Sequence, residues 1–278
     1  MTWNVWWRFG RWQDRRHAIL HVLREERPDV LALQEVWASE QENLAGWLAD
    51  ELGMEWVWSR SPVQDRWHGR NGGDTSVDVG IAVLSRFPIL ETAERRLPAG
   101  DAPGDAPDDG KTALHALIDA PGGPLPFFAT HLNSGPADSG VRCLQVRELA
   151  AFVAERAPRG GYPPVVGGDF NAEPDFDEVR LFGGYRTRGP VPGLVMIDAW
   201  RFAAPGTEGG TWDITDQGED GYPYWHSRID YLHVGLSRRG TGGRVRAVRR
   251  TGDRPVDGVW PSDHAAVVTD LDTPRRTA

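Results

Sequence analysis

Apolar, strand-like runs in this chain repeatedly end in, or are broken by, a carboxylate, an amide or an imidazole. The run DVLALQE stops at Glu35, FFATHLN at His131 and Asn133, and VVGGDFN at Asp169 and Asn171. Asp230 lies inside SRIDYLHV, Asp263 and His264 open the run in PSDHAAVV, and Asn4 sits in the first apolar segment, TWNVWW. Burying a carboxylate beside hydrophobic strand residues is expensive unless the charge is paired or bound to a metal. Taken singly, each of these reads equally well as a salt-bridged or capping residue. Four carboxylates in the same kind of position predict one shared site.

The remaining pattern alternates strand-like and helix-like segments. Apolar spacing predicts helices over 13–26, 39–52 and about 140–156. Ser39 is the expected N-cap of the second, and Pro28 ends the first. Strands are expected at 3–7, 29–36, 55–59, 79–84, 89–96, 112–119, 125–131, 164–169, 228–234, 243–251 and 264–270. The stretch GDAPGDAPDDG at 100–110 reads as a solvated loop. The glycine-rich, aromatic-bearing stretches 60–78 and 203–227 read as loops bordering a site, and 272–278 as a frayed tail. So many strands with so few intervening helices do not suit a doubly wound parallel sheet. They suit an α+β fold, two sheets packed face to face with helices outside. No repeat and no long polar linker divides the sequence, so residues 1–278 are expected to form one domain.

Composition narrows the partners. At 278 residues and 40% hydrophobic content the chain can bury a sizeable core. No run approaches the roughly 20 apolar residues that cross a bilayer. The opening MTWNVWWRFGRW lacks the length and cleavage site of a signal peptide, so the expectation is a soluble, cytoplasmic protein. The single cysteine, Cys143, excludes an internal disulfide and reads as a buried thiol on a helix. A net charge of −9 disfavours a non-specific grip on nucleic acid, which needs a basic surface. A local basic groove stays compatible with it. Carboxylates and amides are hard oxygen donors that suit Mg²⁺ or Mn²⁺ better than Zn²⁺. No HExxH helix and no Cys/His cluster argues for zinc.

The ordered strings TWNVWW, LALQEVW, IAVLSRFPI, ATHLNSG, GGDFNAEP, RIDYLHV and PSDHAAV resemble the successive motifs of the endonuclease/exonuclease/phosphatase superfamily. The resemblance extends from about Trp3 to Asp270 and implies the deoxyribonuclease-I-like fold, a four-layer sandwich of two mixed sheets flanked by helices. It also implies water-driven hydrolysis of a phosphate ester with a divalent cation, Mg²⁺ or Mn²⁺, one ion or two. Carried over by position, Glu35 matches the principal metal-binding glutamate, with Asn4 and Asp263 beside it. Asp169 matches the aspartate that orients or deprotonates water, and Asn171, two residues on along an extended segment, contacts phosphate. His264 stabilises the oxyanion or takes the proton, Asp230 orients a site histidine, and His131 faces the scissile phosphate or leaving group. Asn133, Arg228, Trp212 and Trp225 are the expected substrate contacts, Arg228 being equally readable as structural.

Other residues invite blander readings. His17 and His21, four apart, lie on a helix surface more readily than on a metal. His115, in TALHALID, reads as a satisfied core histidine. Lys111, the only lysine, starts the same strand and reads as an ion-pair partner or a phosphate contact. RVRAVRR at 244–250 reads as a half-exposed strand. Three functions remain open at this level: a phosphoesterase acting on a nucleotide, another small molecule or a lipid head group; a DNA or RNA nuclease using the same centre; and a non-catalytic binding module.

Overall fold

A computed structural model describes residues 1–100, 108, 110–157, 161–215, 227–237 and 242–273. Its strands are β1 (Thr2–Asn4), β2 (Val30–Ala38), β3 (Glu55–Arg60), β4 (Asp78–Ser85), β5 (Ile89–Arg96), β6 (Thr112–Ala120), β7 (Gly123–His131), β8 (Val165–Asp169), β9 (Met196–Asp198), β10 (Asp230–Gly235), β11 (Val245–Thr251) and β12 (Ala266–Leu271). They form two six-stranded sheets, ordered β11-β12-β1-β2-β4-β3 and β5-β6-β7-β8-β10-β9. Each is mixed: β1 runs parallel to β2 and β7 parallel to β8, while the other pairs are antiparallel.

Because side chains alternate across a strand, an apolar run fills two cores at once. β2 gives Leu31 and Leu33 to the core under helices α1 (Trp12–Glu26) and α2 (Leu44–Leu52), and Val30 and Ala32 to the core between the sheets. β4 divides Ala82 and Leu84 from Ile81 and Val83 in the same way. In the second sheet Phe127, Ala129 and Val165 face inward. Phe128 and Val166 pack outward with residues of α4 (Ser139–Arg156) and α5 (Asp177–Gly183). The result is the expected order of helices, sheet, sheet, helices.

Two glycines of β8 allow close approach, Gly167 against the opposite sheet and Gly168 against the neighbouring strand β7. A Cβ on Gly167 would sit 3.0 Å from Thr2 Cβ and 3.1 Å from Ala32 Cβ, and one on Gly168 would strike Thr130 O at 2.5 Å. The VVGGD string therefore owes its glycines to close approach.

Several expected boundaries move. The first strand ends at Asn4, because Trp6 and Trp7 turn into positive φ (59° and 35°). Arg15, buried, fixes this turn by donating from Nη2 to Trp6 O (2.8 Å) and Trp7 O (2.7 Å). The second helix starts five residues later than expected. Ser39 instead closes a turn with Glu42, and Asn43 is the N-cap, accepting from Ala45 N at 2.8 Å. The first helix ends at Arg27 in the left-handed region, just before Pro28. A short helix, α3 (Asp65–Arg70), interrupts the expected loop 60–78, and α5 and β9 occupy a region with no expected element. Most of 100–110, part of 203–227 including Trp225, and most of the tail lie outside the described residues.

Candidate active site

Strand register assembles the site. The Cα of His131, last residue of β7, pairs with that of Asp169, last of β8, and Asp169 pairs in turn with Asp230, first of β10. Three polar side chains therefore stand side by side on neighbouring strand ends, all buried. The other sheet closes the group from across the interface. His264, just before β12, places Nδ1 2.8 Å from Asp230 Oδ2. Its position is held by its own N–H to Ser262 Oγ (3.1 Å) and by Trp3 Nε1 donating to its carbonyl (2.8 Å). Ser262 Oγ in turn donates to Asn4 O at 2.7 Å.

Asn4 joins the two carboxylates that face each other across the sheets. Its Nδ2 donates to Glu35 Oε1 (3.2 Å) and to Asp169 Oδ2 (3.0 Å), and its Oδ1 accepts from Trp6 N (3.0 Å). Glu35 interrupts β2 at a register shift, with φ 56°, so the strand bulges and re-aims the side chain into the cleft. Its second oxygen, Oε2, is buried with no hydrogen-bond partner.

Electrostatics follow from burial. Asp169 is pushed up to about 7 by burial and by the charge of Asp230, against the opposing pull of His264 and hydrogen bonds from Asn171 N and Asn4. Burial lifts Asp263 to about 6, with His264 opposing the rise and Glu35 adding to it. For His264 burial acts downward, but the charges of Asp230 and Asp263 overcome it and raise the imidazole well above its ordinary value. Burial pushes His131 the other way, well below its ordinary value, with Lys111 reinforcing the effect. Its Nε2 stands 3.5 Å from Asp169 Oδ2. The two histidines thus differ in charge at neutral pH, one cationic and one neutral.

The cleft they border has a volume of about 330 Å³. Glu35, His131, Asp169, Asn171, Asp263 and His264 line it, and Trp212 joins them through a bridge to His264. Asn4 and Asp230 stand immediately behind. Asn171 is not on an extended segment: its φ is 49°, its N–H caps Asp169 Oδ1 at 2.9 Å and its Nδ2 donates to Leu132 O at 3.0 Å. Two expected substrate contacts are corrected. Arg228 turns away to Asp198 (2.7 Å) and lies over the Tyr231 ring, because it precedes β10 and does not share the alternation of that strand. Asn133 is buried, its Oδ1 accepting from Gln145 Nε2 at 2.7 Å.

One wall was foreseen only in part, as the bordering stretch 60–78 and the phosphate-contact reading of Lys111. Trp6, Phe9, Trp67 and Phe176 supply aromatic surface, and Arg66, Arg70 and Lys111 supply cationic surface. Arg66 and Arg70 are four apart on α3, a spacing legible in DRWHGR only once the helix is known. Arg142 was missed too. Fully buried on α4, it pairs with Glu178 at 2.5 Å and donates to the carbonyls of Asn133 (3.1 Å) and Gly135 (2.7 Å), bracing the loop after His131.

Elsewhere, His17 packs edge-on against Trp47 and His21 faces Glu25, so neither approaches the other as a ligand. His115 is in the core against Phe128, yet both its ring nitrogens lack partners. Cys143 is half-buried and its thiol is pushed up, first by that burial.

Do these residues suit a divalent cation? The buried Oε2 of Glu35, without a hydrogen-bond partner among the described residues, is what a hard cation would satisfy, and Asp263 adds carboxylate oxygens beside it. The expected ligand Asn4 turns its Nδ2 to Glu35 and orients that carboxylate instead. Asp169, Asp230 and His264 also offer ligand atoms within 4.8 Å of one another, although the hydrogen bond at 2.8 Å already engages the last two. The donor set fits.

The cleft lies between two mixed sheets and is ringed by strand-end carboxylates and two histidines. The chain belongs to the Endonuclease/Exonuclease/phosphatase family, whose model matches residues 1–264. Members of this family are hydrolases acting on phosphate esters. The chain is similar to Nocturnin of Xenopus laevis, 26% identical over 274 residues, which cover 94% of this chain and 65% of the relative, just under two thirds of its length. Among solved structures it resembles the human Nocturnin catalytic domain with bound sulfate anion (TM-score 0.70, 21% identity, 97% of this chain and 92% of that one). It also resembles D. rerio TDP2 complexed with single strand DNA product (TM-score 0.72, 20% identity, 98% and 97%) and a mannosyl-6-phosphatase of Bacteroides thetaiotaomicron (0.67, 18%, 97% and 97%). Among the described residues no helix is long and apolar enough to cross a membrane.

Proposed function

We propose that this protein, one domain over residues 1–278, hydrolyses a phosphate ester of a nucleotide, another small molecule or a lipid head group, using Mg²⁺ or Mn²⁺ and an activated water. The reading rests above all on the registered row His131, Asp169, Asp230 closed by His264 from the opposite sheet.

In this reading Asp169 orients the water and accepts its proton as the new P–O bond forms and the ester P–O bond breaks. Its pKa near 7 suits a base working at neutral pH. His264, kept cationic by Asp230, donates from its free ring nitrogen to the phosphate oxygen as charge builds there. His131 stays neutral and offers an N–H toward the same phosphate. Asn4 holds Glu35 and Asp169 at a fixed separation, and Asn171 pins the Asp169 carboxylate through its backbone. A cation held by Glu35 and Asp263, with Asn4 orienting the glutamate, would neutralise phosphate charge as a Lewis acid. Lys111, Arg66 and Arg70 add fixed positive charge along the wall, and the aromatic side chains beside them suit a flat substituent.

A panel of esters with Mg²⁺ or Mn²⁺ tests this directly: mononucleotides, sphingomyelin, inositol phosphates, plasmid DNA and single-stranded RNA. Turnover of at least one small ester, abolished in Asp169→Asn, supports the reading; turnover unaffected by Asp169→Asn contradicts it. The wall bearing Arg66, Arg70 and Lys111 favours a second reading, a nuclease. That reading requires cleavage of the polymers and binding that falls steeply with salt.

A further inference from the structure

A second cavity lies on the outer side of the second sheet, among α5, β9 and the start of β10. Its volume is about 200 Å³, below the usual span of drug-sized sites, so it suits a compact ligand. Arg180, Arg186, Arg201 and Arg228 line it, with Asp198 as the only carboxylate in the wall among the described residues. None of these residues belongs to the catalytic cleft.

Charge does not balance there. Both oxygens of Asp198 are engaged, Oδ2 by Arg228 at 2.7 Å and Oδ1 by Trp200 N at 2.9 Å, so it neutralises one guanidinium. Arg180 meets Asp177 only at 3.9 Å, and that carboxylate is largely in solvent. Arg201 is over the Tyr185 ring at 5.3 Å, a contact that orients the guanidinium without cancelling its charge. In a chain carrying a net charge of −9, a pocket lined by Arg186 and Arg201, neither with a carboxylate partner among the described residues, runs against the overall field. Polar capacity is also left unmet in the wall itself. His233, 1% exposed, is set among Phe170, Phe182 and Tyr231, and its Nδ1 has no partner.

We propose that this cavity is a binding site for a compact polyanion of the phosphate class, separate from the catalytic cleft. Guanidinium groups recognise phosphoryl oxygens through paired N–H donors, and several converging on one small cavity select multiply charged ligands over single carboxylates. Binding there would also bear on the cleft. Arg228 lies two residues before Asp230, and its carbonyl shares the single Tyr231 Oη proton (2.9 Å) with Ala172 O (2.7 Å), beside the Asp169 loop.

Calorimetric titration with inorganic pyrophosphate, at low salt and with EDTA present, tests the site on the whole chain. Wild type should bind, the Arg186→Ala/Arg201→Ala double variant should bind at least about tenfold more weakly, and Arg66→Ala/Arg70→Ala in the cleft should retain the affinity. The outer double variant should also melt and hydrolyse bis-p-nitrophenyl phosphate as wild type does. The proposal is overturned by absent binding to wild type, by unchanged affinity in Arg186→Ala/Arg201→Ala, by loss of binding in the cleft variant instead, or by loss of hydrolysis with the outer pair.

Discussion

His264 Nδ1 and Asp230 Oδ2, 2.8 Å apart, join one sheet to the other at the floor of the cleft. Asp230 is fully buried and its other oxygen has no partner, so its charge is committed to the imidazole. Replacing Asp230 by Asn removes that charge while keeping the shape. His264 then loses its main upward influence and its positive charge at neutral pH. We expect kcat to fall by on the order of 10²–10⁴-fold with circular dichroism unchanged. A kcat within twofold of wild type would remove His264 from the mechanism.

Glu35 presents a buried oxygen that no described residue satisfies. Without cation, Glu35→Gln should therefore melt at or above the wild-type temperature. With Mg²⁺ at about 100 times its dissociation constant, wild type should gain about 2.7 kcal/mol and Glu35→Gln much less. Differential scanning calorimetry with EDTA or Mg²⁺ reads both. Equal Mg²⁺ stabilisation of the two proteins would move the cation elsewhere.

His115 and His233 are buried and each is lowered to about 4, chiefly by burial. Between pH 6.5 and about 4 the unfolded chain binds their protons and the folded chain does not. Stability therefore falls as pH drops through that window, by up to about 3 kcal/mol per histidine, and the loss levels off below it. His115→Leu should flatten the decline in urea unfolding midpoints measured from pH 7 to 4.5. An unchanged slope would show that His115 does not contribute.

Arg142 and Glu178 form an ion pair with no solvent access. Arg142→Leu strands the Glu178 charge and releases the carbonyls of Asn133 and Gly135, so unfolding should become easier by about 3–5 kcal/mol. Arg142→Leu/Glu178→Leu should recover more than half of that loss in chemical denaturation. If the double variant is no more stable than the single, the stranded charge is not the cause.

The layered fold was legible because β2, β4, β7 and β8 are apolar on both faces, and a strand that fills two cores reads as an unbroken hydrophobic run. The strand ends stood out for the converse reason: a carboxylate at the end of such a run, as Asp169 is, or at its start, as Asp230 is, costs energy to bury unless it is paired or metal-bound. What escaped depended on partners distant in sequence. Arg228 looked like a cleft residue because it adjoins the RIDY aspartate, but its partner Asp198 lies on β9, a three-residue strand too short to leave a pattern. Ser39 looked like a cap because the turn that consumes it, with Glu42, is invisible until it forms. Asn133 meets Gln145 of α4, and only the folded helix brings the two together. Most individual residues of the aromatic and cationic wall escaped because Trp6 and Phe9 follow β1 while Trp67 and Arg70 lie on α3, and no local periodicity announces their meeting.

The central claim is that the row of strand-end side chains hydrolyses a phosphate ester with help from a divalent cation. The most direct measurement is bis-p-nitrophenyl phosphate hydrolysis by wild type, Glu35→Ala and His264→Ala, each with Mg²⁺ and after exhaustive chelation. The account predicts turnover by wild type with Mg²⁺, restored when Mg²⁺ is returned after chelation, and loss of about 100-fold or more in both folded variants. Full wild-type activity after chelation, or undiminished activity in His264→Ala, would contradict it.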